Sequence, residues 1–312
     1  MDLLYTIFVA PFLDMATAPM FFAEVVIGGL MIGVMYAMVA LGFVLIFKAS
    51  GVFNFAQGVM VLFAALTLVG LMEKFGLPVW LAFPMTMAVM IGLAFVIERC
   101  MLRPLVNQDP LILLMATIGL TFFLEGVGEV VWGSNVKKLN LGLPDESFFV
   151  GGILINQFEL LSAVAAAVLV AVLAVLSQKT TLGRALRAVA DDHQAATAVG
   201  IPLKTVWVTV WSVAGIVALV AGIIWGEKSG VQFSLSLIAL KALPVLILGG
   251  LTSIPGAIVG GLIIGVGEKI AEVYWGPVIG GAIENWFAYV LAMVFLLIRP
   301  HGLFGEEIIE RV

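Results

Sequence analysis

Charge is what this 312-residue sequence has least of. Asp, Glu, Lys and Arg make up 11% of it, against about 25% in a typical soluble domain, and the mean hydropathy is +1.19. An ordinary water-soluble domain is excluded. The single cysteine, Cys100, rules out an internal disulfide. Two histidines, His193 and His301, with that one cysteine offer no metal-ligating cluster. The chain has no Gly-x-x-x-x-Gly-Lys-Ser/Thr phosphate loop, so the usual ATP cradle is missing. It also lacks a Gly-x-Ser-x-Gly elbow and a spaced carboxylate pair in a water-accessible loop. Catalysis, a resident cofactor, a metal and a nucleic-acid partner are not expected. Residues 1–20 lack a basic n-region and contain Pro11, so they read as a short helix or arm rather than a cleavable signal.

Long apolar runs are what the sequence has instead. Alternating ten-residue strands are absent, so the class is an all-α, polytopic transmembrane bundle of eight to ten helices rather than a β-barrel. Spans are expected near 21–47, 52–72, 77–98, 110–132, 159–177, 205–226, 233–251, 255–275 and 280–298. The polar stretch 133–158 reads as an extramembrane loop, and 306–312 as a tail. Glycines and Pro255 interrupt the apolar run over 246–261; the favoured reading is two elements, one of them short. Of the fifteen Lys and Arg residues, nine (Lys48, Arg99, Arg103, Lys179, Arg184, Arg187, Lys204, Arg299 and Arg311) fall on one side when the loops alternate. Lys74, Lys137, Lys138 and Lys228 fall on the other, and Lys241 and Lys269 lie within apolar segments. The bias toward the inside places the N-terminus outside and the C-terminus in the cytoplasm.

The loop 179–204 is then cytoplasmic, and it carries "GRALRAVADDHQAATAVGIP" (183–202). Arg184, Arg187, Asp191 and Gln194 recur at helical spacing on one face, with Leu186, Val189 and Ala190 on the other. Thr181 is the expected N-cap, and Gly200 before Ile201-Pro202 the expected stop, giving a helix of about 17 residues. Two physical readings stand: a helix resting on lipid headgroups, or one docked in a protein groove, which its alanine-rich face suits.

Other polar residues stand out against the apolar background. Asn54 and Gln57 head a span, where a helix cap and a lining of the transport path are both open. Lys241 in "LSLIALKALPVLILGG" sits where an ionisable group is costly unless it faces a cavity, finds a partner or snorkels. Glu125 and Glu129 are its expected partners. Glu268, Lys269 and Glu272, with Glu284, read as solvated or structural at helix ends. Gly256-x-x-x-Gly260 and Gly261-x-x-x-Gly265 allow close helix approach, either inside the subunit or at a dimer seam. The fourteen methionines are accounted for as flexible filler.

Four stretches in order, "GVFNFAQG" (51–58), the 183–202 segment, "LKALPVLILGGLTSIPGAIVGG" (240–261) and "RPHGLFG" (299–305), resemble the permease subunits of branched-chain amino acid ABC importers. The resemblance covers nearly the whole chain beyond residue 20. It implies a type II importer fold over 21–305, pairing with a second related permease, two cytoplasmic ATPase subunits and an extracytoplasmic solute-binding protein, in the lipid of a bacterial inner membrane. It implies that 183–202 holds the helix docking on the ATPase, with Gly183, Arg184, Arg187, Ala188, Asp191, Asp192 and Gly200 as coupling candidates. Asn54, Phe55, Gln57, Lys241 and Glu125 are the candidates for the path. Gln57 stands where the family commonly has His, which bears on substrate choice; His193, where an acidic residue or Pro is frequent, is a surface difference. Branched-chain amino acids are the default substrate, with urea, amides and aromatic carboxylates carried by close relatives. The rival class is an ion-coupled secondary transporter or channel, in which Lys241, Glu125 and Glu129 would serve coupling.

Overall fold

The computed structural model describes residues 2–305 except Val52, Asn107, Asp145, Asp192, Ala282, Glu284 and Asn285. Two short helices open the chain, α1 (Asp2–Phe8) and α2 (Ala10–Thr17), where the arm was expected. There follow α3 (Pro19–Ser50), α4 (Gln57–Phe75), α5 (Val79–Ile97) with a π-helical turn at Glu98–Leu102, and α6 (Pro110–Trp132). A hairpin of β1 (Ser147–Val150) and β2 (Ile153–Asn156) precedes α7 (Gln157–Lys179), α8 (Thr181–Asp191) and α9 (His193–Ala198). The chain closes with α10 (Leu203–Ser229), a 3-10 turn at Phe233–Leu237, α11 (Ile238–Gly249), α12 (Ile254–Ile279) and α13 (Phe287–Ile298). Among the described residues seven helices are long and apolar enough to cross a membrane: α3, α4, α5 with its π turn, α6, α7, α10 and α12. The segments Phe233–Gly249 and Phe287–Ile298 are apolar but shorter. Each of these nine segments overlaps one of the nine expected, the last being shorter than expected, and the run over 246–261 is indeed two elements, the first short.

Two local features depart from expectation. The loop 133–158 contains the antiparallel hairpin, turned by Gly151 and Gly152 at φ +60° and +88°; consecutive positive φ values are what a tight hairpin turn needs and glycine supplies. The second span begins helically at Gln57, not at 52, because Asn54 organises a non-helical entry.

The chain divides into two compact units: Met1–Ala40, Leu143–Val168 and Lys241–Val312 form the first, and Leu41–Gly142 and Leu169–Leu240 the second. In the first, α12 is the hub. Gly29 meets Gly265 and Val266, while Gly33 meets Gly261 and Leu262, an antiparallel contact so close that a Cβ on any of these four glycines would overlap the facing helix. On another side of α12, Gly256 and Gly260 lie against Gly249 of α11. The glycine motifs therefore build the subunit core. Ser253 caps α12, its hydroxyl accepting from the Gly256 N–H at 3.0 Å, with Pro255 in the first turn. The closing "RPHGLFG" motif folds back on α11: Leu303 N donates to Leu248 O at 2.8 Å and Phe304 N to Gly249 O at 3.2 Å. Those are terminal carbonyls with no partner inside their own helix. The arm is held by Trp275, whose Nε1 donates to Ile7 O at 2.9 Å.

In the second unit α4 and α10 are the most enclosed helices. Gly222 of α10 lies on the Val61 carbonyl of α4, and Gly70 of α4 takes the Trp132 ring of α6. Helix ends hold the loop after α6: Lys137 pairs with Glu73 of α4, and the Glu227 carboxylate of α10 accepts from Leu141 N at 3.2 Å.

The glycine contacts predict their own test. Gly265→Leu should force α3 and α12 apart and lower stability by about 1–3 kcal/mol, the usual cost of overpacking. Gly119→Ala, where an added Cβ meets nothing within 4 Å, should leave the thermal unfolding midpoint in nanodiscs unchanged. Equal midpoints for both variants would contradict the packing account.

Candidate functional site

The segment 181–201 is built from its ends. At the start, Thr180 Oγ1 accepts from Gly183 N at 3.1 Å and donates to Leu176 O at 2.5 Å. Thr180 is thus the N-cap, one residue before the expected Thr181, because its hydroxyl serves both the last turn of α7 and the first of α8. At the end, Ile201 N donates to Ala196 O and Gly200 N to Thr197 O, both at 3.0 Å, with Gly200 at φ +89°. This is the Schellman closure expected of Gly200. Helix is present over α8 and α9; Asp192 between them, and the side chains of His193 and Gln194, lie outside the described residues.

The apolar face of α8 is not free for lipid. Gly183, Leu186 and Val189 are buried, and Leu182, Gly183 and Leu186 roof a small apolar cavity walled by Leu173, Leu176 and Val210. Arg184 and Asp191 are exposed, and Ala188 is half-buried. Arg187 is half-buried. Its Nη1 donates to Ser177 O at 2.6 Å, because the carbonyl-rich, partially negative end of α7 lies within its reach.

At the head of α4, Asn54 is fully buried. Its Oδ1 accepts from Ala56 N at 3.0 Å, its carbonyl accepts from Gln57 N at 3.3 Å, and its amide meets Met60 Sδ at 3.8 Å. It forms an Asx turn leading into α4, whose own N-cap, Ala56, makes no side-chain cap bond. Gln57 is also fully buried. It lies over Gly42, where a Cβ would strike its amide, and donates through Nε2 to Ala214 O at 3.3 Å. Its Oε1 has no hydrogen-bond partner among the described residues. Phe55, 43% exposed, is the accessible member of this group; Phe53 sits against it at 4.9 Å and stacks on Phe43 at 5.0 Å.

Lys241 does find a carboxylate, but a different one. Its Nζ lies 3.1 Å from Glu268 Oε1, and the Tyr36 hydroxyl donates to the same oxygen at 2.9 Å. The Lys241 side chain is 28% exposed and that of Glu268 only 6%. The expectation for the partner of Lys241 is corrected here. Among the described residues the ion-pair partner of Lys241 is Glu268, in place of the expected Glu125 and Glu129, which are half-buried and exposed on α6. Of the solvated and structural readings, Glu268 takes the structural one, because the glycine contact draws its face of α12 onto α3. Lys269 and Glu272 pair at 3.2 Å while partly exposed, as expected, and Glu284 lies outside the described residues.

Tyr36 and Ser177 were missed. A signal for Tyr36 exists: Gly29, Gly33 and Tyr36 repeat the spacing of Gly261, Gly265 and Glu268. Side chains lean toward the N-terminus of their own helix, so in an antiparallel pair Tyr36 and Glu268 converge on the glycine contact. Nothing in the sequence marks Ser177, since its backbone carbonyl is what serves.

The family described as "Branched-chain amino acid transport system / permease component" matches residues 16–299. The high-affinity branched-chain amino acid transport system permease protein BraD of Pseudomonas aeruginosa is 30% identical, over 93% of this chain and 98% of that protein. LivH of Salmonella typhimurium, which bears the same description, is 29% identical over 94% and 98%. A solved structure, PsaBC from Streptococcus pneumoniae in complex with Fab, is similar with a TM-score of 0.48 and 13% identity, over 87% of this chain and 89% of that one.

Removing one member of the buried pair should expose its cost. Lys241→Met leaves Glu268 uncompensated and is expected to destabilise by about 3–5 kcal/mol, while Lys241→Met with Glu268→Met should recover most of the loss. Denaturant or thermal unfolding in nanodiscs reads both; a double variant as unstable as the single one would contradict the pairing. For the cap, Thr180→Ala should cost about 1 kcal/mol and Thr181→Ala nothing measurable, read by hydrogen exchange in the first turn of α8.

Proposed function

The chain belongs to the permease-component family of branched-chain amino acid transport systems, and from that premise we propose that it forms, with a second related permease, the membrane path of an ATP-driven importer for a branched-chain amino acid or a similar small solute. Membership implies ATPase subunits and a solute-binding protein as partners. In this reading two ATPase subunits dock on the cytoplasmic side and hydrolyse the ATP, and the binding protein delivers solute from outside. The permease lies in the bacterial inner membrane, N-terminus outside. ATP-driven closure of the ATPases moves the docked helix as a rigid element and switches the side on which the path opens. Solute biases that cycle only through a difference in affinity for its states.

One observation carries the docking assignment. α8 seals its apolar face against its own chain and turns Arg184 and Asp191 outward. A helix resting on headgroups would point its apolar face at the lipid; this one leaves a charged face for a protein. For the path, Lys241 is the strongest candidate, since a partly exposed ammonium within an apolar helix is tolerated where it meets a water-filled cavity or a partner. Phe55 contributes exposed surface. Asn54 and Gln57 act from beneath, fixing the entry to α4, and Glu125 is a half-buried carboxylate on α6.

Co-expression with the ATPase subunits tests this reading. The intact chain should retain them through purification, and Arg184→Glu combined with Asp191→Arg should release them or abolish hydrolysis stimulated by the loaded binding protein. An intact chain that never holds an ATPase yet moves solute down an ion gradient would overturn the importer reading in favour of a secondary transporter.

A further inference from the structure

Two residues of α8, one helical turn apart, converge on a single backbone carbonyl. Arg187 Nη1 donates to Ser177 O at 2.6 Å, and Gly183 lies so close to that oxygen that any Cβ there would overlap it. Ser177 is in the last turn of α7, where carbonyls have no partner inside their own helix. Its neighbour, the Leu176 carbonyl, takes the Thr180 hydroxyl at 2.5 Å, so the junction between the two helices is fastened at two successive carbonyls. Arg187 is half-buried beside this junction, while Arg184 and Asp191 face outward.

We infer that Arg187 is a positioning residue that locks α8 to the end of α7, and that it does not itself contact the ATPase. The guanidinium suits the task because it is charged at every physiological pH and its donors are fixed in a plane. It meets a carbonyl at the negative end of a helix, where a cation is favoured. A push on the outer face of α8 is then delivered to α7 instead of being absorbed by bending at residues 179–181. Gly183 has a matching part, since only a residue without a side chain lets α8 come near enough for the arginine to reach. This inference rests on the reading of α8 as the ATPase-docking helix.

The experiment uses the whole transporter, with ATPases and binding protein, in proteoliposomes with L-leucine as the solute. It reads three quantities: ATPase subunits retained, basal hydrolysis, and leucine moved per ATP. Arg187→Met should keep the ATPases and basal hydrolysis, yet lower leucine per ATP by about tenfold, the scale of losing a hydrogen bond from a charged donor. Arg187→Lys, which keeps a charged donor, should recover a large part of the coupling. Gly183→Ala, which displaces α8 while leaving Arg187 intact, should uncouple in the same way; it carries the test if Arg187→Met does not fold. Wild-type leucine per ATP in Arg187→Met or in Gly183→Ala would overturn the inference. So would loss of the ATPases from Arg187→Met, which would make Arg187 a docking contact. Failure of the importer reading looks different, because the wild-type chain would then hold no ATPase at all.

Discussion

Backbone contact at glycine replaces the burial of large side chains as the organising contact of the first unit. Helices in hydrocarbon gain little by hiding apolar side chains from one another, so close approach and dispersion decide which faces meet. Gly29 and Gly33 of α3 against Gly261 and Gly265 of α12, with Gly256 and Gly260 of α12 against Gly249 of α11, set those faces. The polar network follows from that packing. Glu268 lies beside Tyr36 and within reach of Lys241 because the glycines bring three helices together, and a carboxylate buried at that depth persists only when so satisfied. The C-terminal motif depends on the same arrangement, since it supplies N–H donors to the end of an α11 held against α12.

The second unit applies a related rule to polar ends. The carbonyls that close α7 and the N–H groups that open α8 have no partners within their own helices. Thr180 and Arg187 satisfy carbonyls from the far side of the junction, and Thr180 also takes an N–H of the new helix. Satisfying those groups and orienting α8 are one act. The outcome is a helix with a sealed apolar side and an open charged side, which is the geometric basis for assigning it to a protein partner.

How much of this was legible in the sequence divides along physical lines. The spans were, because a run of apolar residues long enough to cross a membrane is a property of the run alone. The Gly200 stop was too, being fixed by one residue's backbone freedom, and the glycine motifs announced close packing without naming the partner. The partner of Lys241 was not legible from hydropathy: matching membrane depth pointed to Glu125 and Glu129, whereas the pair is settled by which helices the glycines bring together. The inward turn of the Arg187 side chain was hidden for a different reason. Helical spacing puts Arg184 and Arg187 on one face, but a long side chain at the edge of that face turns inward when a terminal carbonyl is available. The hairpin over 147–156 escaped because its strands are four residues each, too short for an alternation to show, although Gly151-Gly152 marked its turn.

The central claim is that the outward face of α8 meets a protein and not lipid. The most direct measurement places a photo-crosslinking amino acid at position 184, in a chain co-expressed with its ATPase subunits in native membranes. Position 115 on α6, a membrane-depth control, carries the same group in a second chain, since Met115 is largely exposed at 61%. The account predicts a covalent adduct between position 184 and the ATPase, and lipid adducts only at position 115. Lipid adducts at both positions, with no ATPase adduct at 184, would contradict it.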